Sequence, residues 1–358
     1  MVFLAGPRQC GKTTLAKSLF TSAEREKTHY FNWDASADRE KILRSHFPTE
    51  GGLLVLDEIH KYSRWRNLLK GLFDKRGKEF SILVSGSAKL DFYRRGGDSL
   101  QGRYYLLRLH PLTWKEISDQ NGGDFGDLLQ FGGFPEPFFS KSEAEARIWS
   151  RDYRTRIVRE ELRELENVSE IGLVEHLALR LPELVGNPLS INSLREDLGV
   201  SHPTVSRWIT ILERLYAIFR VYPFGSDRIR AVKKEAKHYH FDWNQILEPG
   251  ARFENLIACH LLKWCHFQED TEGWEMELRY FRDVDKREVD FVILRNRKPI
   301  AFIEAKVSDT NLAPGLRYLH DKFPSVPAIQ VMGTQGIDDK TLKGIRIVSA
   351  EKYLLELV

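Results

Sequence analysis

Cysteine is scarce. Three residues in a chain of 358 cannot supply the disulfide framework of a secreted scaffold, and Cys10 falls inside a glycine motif where a bridge would be awkward. The expectation is a reducing, cytoplasmic location. Long hydrophobic runs are missing as well: none approaches the roughly 18 residues of a membrane span. Met1 leads into Val2-Phe3-Leu4 with neither a basic segment nor a cleavage-site pattern, so no membrane partner and no secretion are expected. There is no excess charge of either sign, because 54 basic against 51 acidic side chains leave only +3. A surface for a polyanion must therefore be a local patch. What is present, 42% hydrophobic and 29% charged residues, excludes a disordered or collagen-like chain. The length allows up to three domains of roughly 100 to 200 residues. No internal repeat or low-complexity tract interrupts it.

The opening run Val2 to Gly6 reads as a strand and a glycine turn, and Leu15 and Leu19 then recur at helical spacing. Further apolar runs end in acids at Asp34 and Asp57 or in serine at Ser85, with helical stretches such as Trp65 to Phe73 between them. Strands alternating with helices predict a parallel sheet and an α/β fold. Between the first strand and helix, Gly6-Pro7-Arg8-Gln9-Cys10-Gly11-Lys12-Thr13 matches G-x-x-x-x-G-K-[ST]. The two glycines allow several backbone N–H groups to aim at one point, and the helix N-terminus adds its positive end. Gly6, Pro7, Arg8, Gln9, Cys10, Gly11, Lys12, Thr13 and Thr14 are the expected nucleotide contacts. Within them Lys12 is placed to neutralise β/γ-phosphate oxygens and Thr13 to ligate Mg2+.

Leu53 to Glu58 is the expected partner of that loop: an apolar strand delivers Asp57 to the metal, and Glu58 beside it is placed to polarise water. Ser85 and Ser87 are candidates for contact with the γ-phosphate or the attacking water, and a plain serine-glycine loop is the alternative. Arg103 is the candidate arginine finger, in cis or from a neighbouring subunit, with Arg94 and Arg95 competing for the role and a solvated surface arginine as the plain reading.

From Pro111 the pattern changes, with a polar loop from Asp119 to Gly126 and mostly helical residues from Glu143 to Val185. Ser190 to Phe224 then reads as helix-turn-helix, with a first helix from Asn192 to Leu198, a Gly199-Val200-Ser201 turn and a second helix from Thr204 to Tyr216. The stretch from Asn187 to Lys234 holds eight basic against four acidic side chains. His202, Thr204 and Arg207, in the first turns of the second helix, are the candidate DNA contacts. Packing between domains is the competing reading.

After a helix from Phe253 to Trp264, Val289 to Leu294 and Ile300 to Val307 read as two strands. A hairpin apex at Arg297 places Asp290 opposite Glu304, with Cβ atoms about 4.5–5.5 Å apart. Like charges so close call for a cation, and a divalent metal bridging hard oxygens is the usual one. Lys306 lies on the Glu304 face, and Glu254 is a further candidate ligand; together they would suit metal-assisted phosphodiester hydrolysis. An ion-paired strand face is the alternative. Cys259, His260, Cys265 and His266 read as core packing rather than a zinc site, since adjacent Cys-His pairs splay apart on a helix.

These stretches together (GPRQCGKTT, LLVLDEIHKYSRW, ILVSGSAKL and GRYYLLRLHPLTWKEI) resemble the AAA+-type P-loop ATPases of prokaryotes. The second half resembles their usual companion, an uncharacterised region with a winged helix and a fold similar to PD-(D/E)xK nucleases, matched by Glu254, Asp290, Glu304 and Lys306. The resemblance implies a P-loop core over 1–110, a helical lid over 111–186, a winged helix over 187–232 and a restriction-endonuclease-like α/β domain over 233–358. It implies ATP and Mg2+ as cofactors, and leaves DNA, a second copy of the chain or another protein open as partners. It also implies a segment ahead of the first strand that helps hold the adenine, whereas here that strand begins at Val2. The function expected is a Mg2+-dependent ATPase coupled to a DNA-facing module. An ATP-regulated metal-dependent DNA endonuclease and a nucleotide-gated DNA-binding or adaptor protein with little turnover are the alternatives.

Overall fold

A strand inside a parallel sheet must be apolar on both faces, because helices cover each side. Residues Met1–His110, one of two compact units in the computed structural model, meet that demand. The structure describes residues 1–19, 27–86, 100–120, 122–162, 170–225, 235–308, 311–337 and 340–357. In the first unit β1 (Val2–Ala5), β2 (Thr28–Asn32), β3 (Gly52–Asp57), β4 (Phe80–Ser85) and β5 (Tyr105–Arg108) form an all-parallel sheet in the order β2-β3-β4-β1-β5. Alternation assigns the faces. Phe3, Leu54, Leu56, Ile82 and Val84 share one core with Trp65, Leu69 and Leu72 of α3 (Trp65–Arg76). Leu4, Val55 and Leu83 meet Ala16 of α1 (Lys12–Ser18) on the other. Among the described residues of this unit a further helix, α2, spans Ser36–Leu43. Because β4 lies between β1 and β3, the ends of three neighbouring strands, Ala5, Ser85 and Asp57, open onto one edge.

The second unit, Pro111–Val358, opens with short helices α4 (Trp114–Asp119), α5 (Phe125–Phe131) and α6 (Pro135–Ser140), then α7 (Glu143–Arg156), which runs into a π-turn at Ile157–Glu161, and α8 (Ile171–Arg180). Helices α9 (Ile191–Leu198) and α10 (His202–Arg214) follow. Gly199 closes α9 in the left-handed conformation and Ser201 caps α10, accepting the Thr204 N–H at 3.3 Å. Val205, Trp208, Ile209, Ile211 and Leu212 form the buried stripe of α10. A hairpin of β6 (Ile218–Pro223) and β7 (Lys237–His240) comes next.

That hairpin is continuous with the strands nearer the C-terminus. Tyr222 and Pro223 of β6 pair in parallel with Arg279 and Tyr280 of β8 (Met276–Arg282). One eight-stranded sheet therefore crosses the boundary expected between residues 232 and 233. It continues through β9 (Glu288–Arg295), β10 (Lys298–Lys306), β11 (Ala328–Met332), β13 (Ile345–Ser349) and β12 (Lys340–Leu342). The unit's described residues also include a long helix, α11 (Pro249–Glu272), and two shorter ones, α12 (Pro314–Lys322) and α13 (Ala350–Leu355). The β9–β10 turn differs from expectation. Asn296 and Arg297 both take positive φ, 50° and 63°, as a two-residue turn requires, so Arg295 pairs with Lys298. An irregularity between Pro299 and Ala301 then shifts the ladder by one residue. Beyond it Ile303 faces Phe291, and one further step brings Glu304 opposite Asp290.

Candidate functional site

The phosphate loop joins β1 to α1 on backbone conformations that side chains resist. Gly6 has φ +152°, and a Cβ there would lie 2.1 Å from the Leu109 carbonyl oxygen. Gly11 at the helix start is left-handed. Pro7 and Cys10 are buried, Arg8, Gln9, Gly11 and Thr13 are half-buried, and Thr14 is exposed, so the outer rim of the loop faces outward. Lys12 folds back on that rim: its ammonium donates to the carbonyls of Gly6 at 3.0 Å and Pro7 at 2.6 Å.

Asp57 is 2% exposed and accepts three hydroxyls. Thr13 donates to Oδ2 at 2.8 Å, Tyr30 to the same oxygen at 2.6 Å, and Ser85 to Oδ1 at 2.6 Å. Burial and the Asp57 charge push the Tyr30 phenol well above its ordinary pKa, so it stays a donor. The set fits Mg2+: a hydroxyl and a carboxylate already in contact are the hard oxygen donors that ion takes beside phosphates. Thr13 and Asp57 would hold it there, where it would neutralise developing phosphate charge.

Glu58 turns out of β3 with φ 56° and ψ 18°, a conformation that costs a non-glycine residue about 1 kcal/mol or more. Its carboxylate meets Lys61 at 3.3 Å and lies 3.6 Å from His60 Nε2. Burial raises the Glu58 pKa, with Lys61 opposing and Asp57 reinforcing the rise. Lys61 also reaches Asp34 at 2.6 Å, which anchors this corner to the end of β2.

Arg103 does not join the group. It precedes β5, whose Tyr105 pairs with Val2, while the phosphate loop follows Ala5 at the other end of β1. The length of β1, roughly 13 Å at the usual strand rise, separates the two ends, and the guanidinium is bonded to Asp74 at 2.9 Å. This placement sets Arg103 at the end of β1 remote from the phosphate loop. Ser87, Arg94 and Arg95 lie outside the described residues.

On the helix pair, His202 and Arg207 are exposed. Thr204 is half-buried and shares its hydroxyl with Ser201 at 2.8 Å, so it serves the helix cap. Two basic side chains of the patch are matched by acids: Arg220 pairs with Glu213 at 2.6 Å and Arg195 with Glu196 at 3.1 Å. Arg228, Arg230, Lys233 and Lys234 lie outside the described residues.

The C-terminal sheet does gather Glu254, Asp290, Glu304 and Lys306, but it adds a residue the sequence pattern does not reveal. Lys237, at the start of β7 and 1% exposed, extends its ammonium to Glu254 at 3.2 Å, Glu288 at 2.5 Å and Asp290 at 3.5 Å. Tyr239 donates to Glu254 at 2.7 Å, and Lys306 pairs with Glu304 at 3.0 Å. The backbone N–H groups of Ala305 and Asp290 donate to Asp290 Oδ2 and Glu304 Oε2 respectively, which ties the two strands together. Burial opposes the charge on Lys237, but Tyr239, Glu254, Asp290 and Glu288 outweigh it and hold the ammonium well above its ordinary pKa. Burial, and then the Asp290 charge, raise Glu254 and Glu304. Four carboxylates facing two ammoniums favour keeping a proton among the acids. Among the described residues no group of three or more His, Cys, Asp or Glu side chains is arranged to hold a metal ion.

Cys259 and Cys265 are buried, and His260 is fixed within the fold. Its Nδ1 meets the Leu256 carbonyl at 2.8 Å while its Nε2 accepts the Trp114 N–H at 3.0 Å. Burial lowers the pKa of this imidazole to about 4.

Residues 1–118 match the family described as AAA domain. Residues 122–243 and 249–353 each match a domain of unknown function, DUF8612 and DUF4143. The match to the AAA domain and the parallel sheet support a P-loop NTPase fold for the N-terminal unit. Uncharacterized proteins of Mycobacterium bovis and Mycobacterium tuberculosis are each 23% identical over 373 residues, covering 95% of this chain and 82% of the relative. An uncharacterized protein of Methanocaldococcus jannaschii is 24% identical over 280 residues, covering 63% of this chain and 57% of its own length. RuvB of Thermotoga maritima, a solved structure, aligns at 18% identity with a TM-score of 0.31, covering 62% of this chain and 81% of that one.

Proposed function

We propose that the protein is a Mg2+-dependent ATPase whose turnover acts on a C-terminal DNA-facing module. The observation that carries this reading is the junction of Thr13, Asp57 and Ser85. It brings the first turn of the phosphate-loop helix and the ends of β3 and β4 to one point. In the proposed cycle the backbone amides from Gly6 to Thr14 hold the nucleotide's phosphates. Lys12 leaves the Gly6 and Pro7 carbonyls for the β/γ oxygens. Thr13 and Asp57 serve the cation, and Glu58 orients water once its contact with Lys61 loosens. Mg2+ supplies Lewis-acid neutralisation of the phosphates.

Helices α9 and α10 with the β6–β7 hairpin are read as a winged helix, with His202 and Arg207 offered to the DNA and Thr204 positioning the first turn. The test is phosphate release with and without Mg2+ and duplex DNA, on the wild type and Lys12→Ala. Turnover that needs Mg2+ and disappears in the variant is expected. Turnover that survives in the variant would overturn the assignment. A second reading, a nucleotide-gated adaptor with little turnover, is favoured by the engagement of Glu58 with Lys61. Tight nucleotide retention with slow single-turnover release would select it.

A further inference from the structure

A metal-dependent phosphodiesterase centre needs carboxylate oxygens with free lone pairs converging on a divalent ion at about 2.0–2.6 Å. The acids of β9, β10 and α11 are arranged around a different cation. An ammonium carries three donors, and Lys237 has three carboxylates around it, from Glu254, Glu288 and Asp290. The Tyr280 ring, 5.5 Å from the ammonium, flanks it as well. Glu288 and Asp290, two apart on β9, present the same face. The fourth acid, Glu304, is taken by Lys306.

The approach is narrowed too. Gly186, at φ +81°, stands over Glu254 so closely that a Cβ on it would lie 3.1 Å from Oε2. The segment carrying it is bridged to β7 at Pro188 and Lys237. These residues do not fit the divalent metal that a nuclease-like fold implies.

We propose that Lys237 is a built-in replacement for that metal, so that the C-terminal sheet keeps a nuclease-like carboxylate centre that binds neither Mg2+ nor Mn2+ and does not cut DNA. The inference rests on reading this region as nuclease-like and is independent of nucleotide hydrolysis. It also predicts that the centre is a latent metal site, closed by one side chain. With the ammonium removed, the acids repel one another and take up a divalent ion.

The experiment uses the full chain carrying Asp57→Asn, which silences the phosphate-loop metal position. Mn2+ binding is followed by electron paramagnetic resonance and by the shift in Tm. With Lys237 present, millimolar Mn2+ is expected to leave Tm unchanged and to fill no site sensitive to Asp290→Asn. Lys237→Met is expected to lower Tm in metal-free buffer, to regain it with Mn2+, and to lose that rescue when Asp290→Asn is added. Mn2+ binding by the Lys237-bearing chain that Asp290→Asn abolishes would overturn the proposal. So would plasmid nicking that Glu304→Gln abolishes, or a folded Lys237→Met chain that gains no Mn2+. Should Lys237→Met fail to fold, the binding and nicking measurements on the Lys237-bearing chain decide alone.

Discussion

Asp57 and Asp290 are both buried acids on strands, and the two units treat them in opposite ways. Around Asp57 the partners are hydroxyls, from Thr13, Tyr30 and Ser85. Each satisfies a lone pair without cancelling the charge, so the site still attracts a cation. Around Asp290 the partners include a cation, the ammonium of Lys237, beside the Ala305 N–H, so part of the negative charge is offset inside the fold. An acid held by neutral donors is poised for exchange. An acid held by a lysine is finished structure. Counting carboxylates alone would assign both to metal; the identity of their neighbours separates them.

The sharpest way to break the contrast is to remove the internal cation. Lys237→Met in the otherwise wild-type chain should destabilise the protein by about 3–5 kcal/mol, the usual cost of orphaning buried charges, seen as a lower midpoint in urea. A loss under 1 kcal/mol would mean that the acids do not depend on the ammonium. On the other side, Lys12→Ala should lower ATP turnover about 100- to 1,000-fold while leaving the urea midpoint nearly unchanged, because the Lys12 ammonium is held by groups of its own loop, the Gly6 and Pro7 carbonyls and the Cys10 sulfur. Equal damage to stability would place Lys12 with Lys237 as a fixed structural cation.

Acid sharpens the comparison by testing how firmly the C-terminal interior resists a new charge. Above pH 6.5 His260 is neutral folded and unfolded, and nothing is lost. Between pH 6.5 and about 4 only the unfolded chain takes the proton. Stability therefore falls as pH drops through that window, by about 3 kcal/mol from this group. His260→Gln should flatten the fall of Tm over the same range; an unchanged slope would show that the imidazole titrates normally. Next in size, Ser85→Ala removes one hydroxyl from Asp57 and should cost about 1.5–3 kcal/mol, with a raised Mg2+ requirement for turnover. The smallest effect belongs to the exposed helix. Arg207→Ala should reduce the salt slope of DNA binding by about one unit, measured by fluorescence anisotropy; no change in slope would remove Arg207 from the interface.

The phosphate loop is readable in the sequence because its chemistry is contiguous, from Gly6 to Thr13, between a strand and a helix. Asp57 is readable as the acid that ends an apolar run. Tyr30 is not: its hydroxyl reaches Asp57 only because β2 lies beside β3, a neighbour relation that strand patterns leave unspecified. The facing of Asp290 and Glu304 follows from an assumed apex at Arg297. The structure reaches it by another route, a two-residue turn at Asn296-Arg297 followed by a compensating bulge. Lys237 is hidden from a linear reading because it is 53 residues from Asp290 and lies just past the boundary expected at 232. Its local signal is Lys237-His238-Tyr239-His240, a short run buried at every position, with Lys237 and Tyr239 on one face. A lysine among such neighbours needs an internal counter-charge.

The matched families part between residues 243 and 249, after β7 and before α11. Lys237 thus lies in the stretch matched by one family, and Glu254, Glu288 and Asp290 in the stretch matched by the other. A recombinant joined at that seam to a foreign half would receive either acids with no ammonium, regaining an appetite for metal, or a strand that buries a bare cation. Neither half is portable by itself. Exchanging either stretch alone would strand the charges of the other, so the two work as one electrostatic unit across their shared sheet.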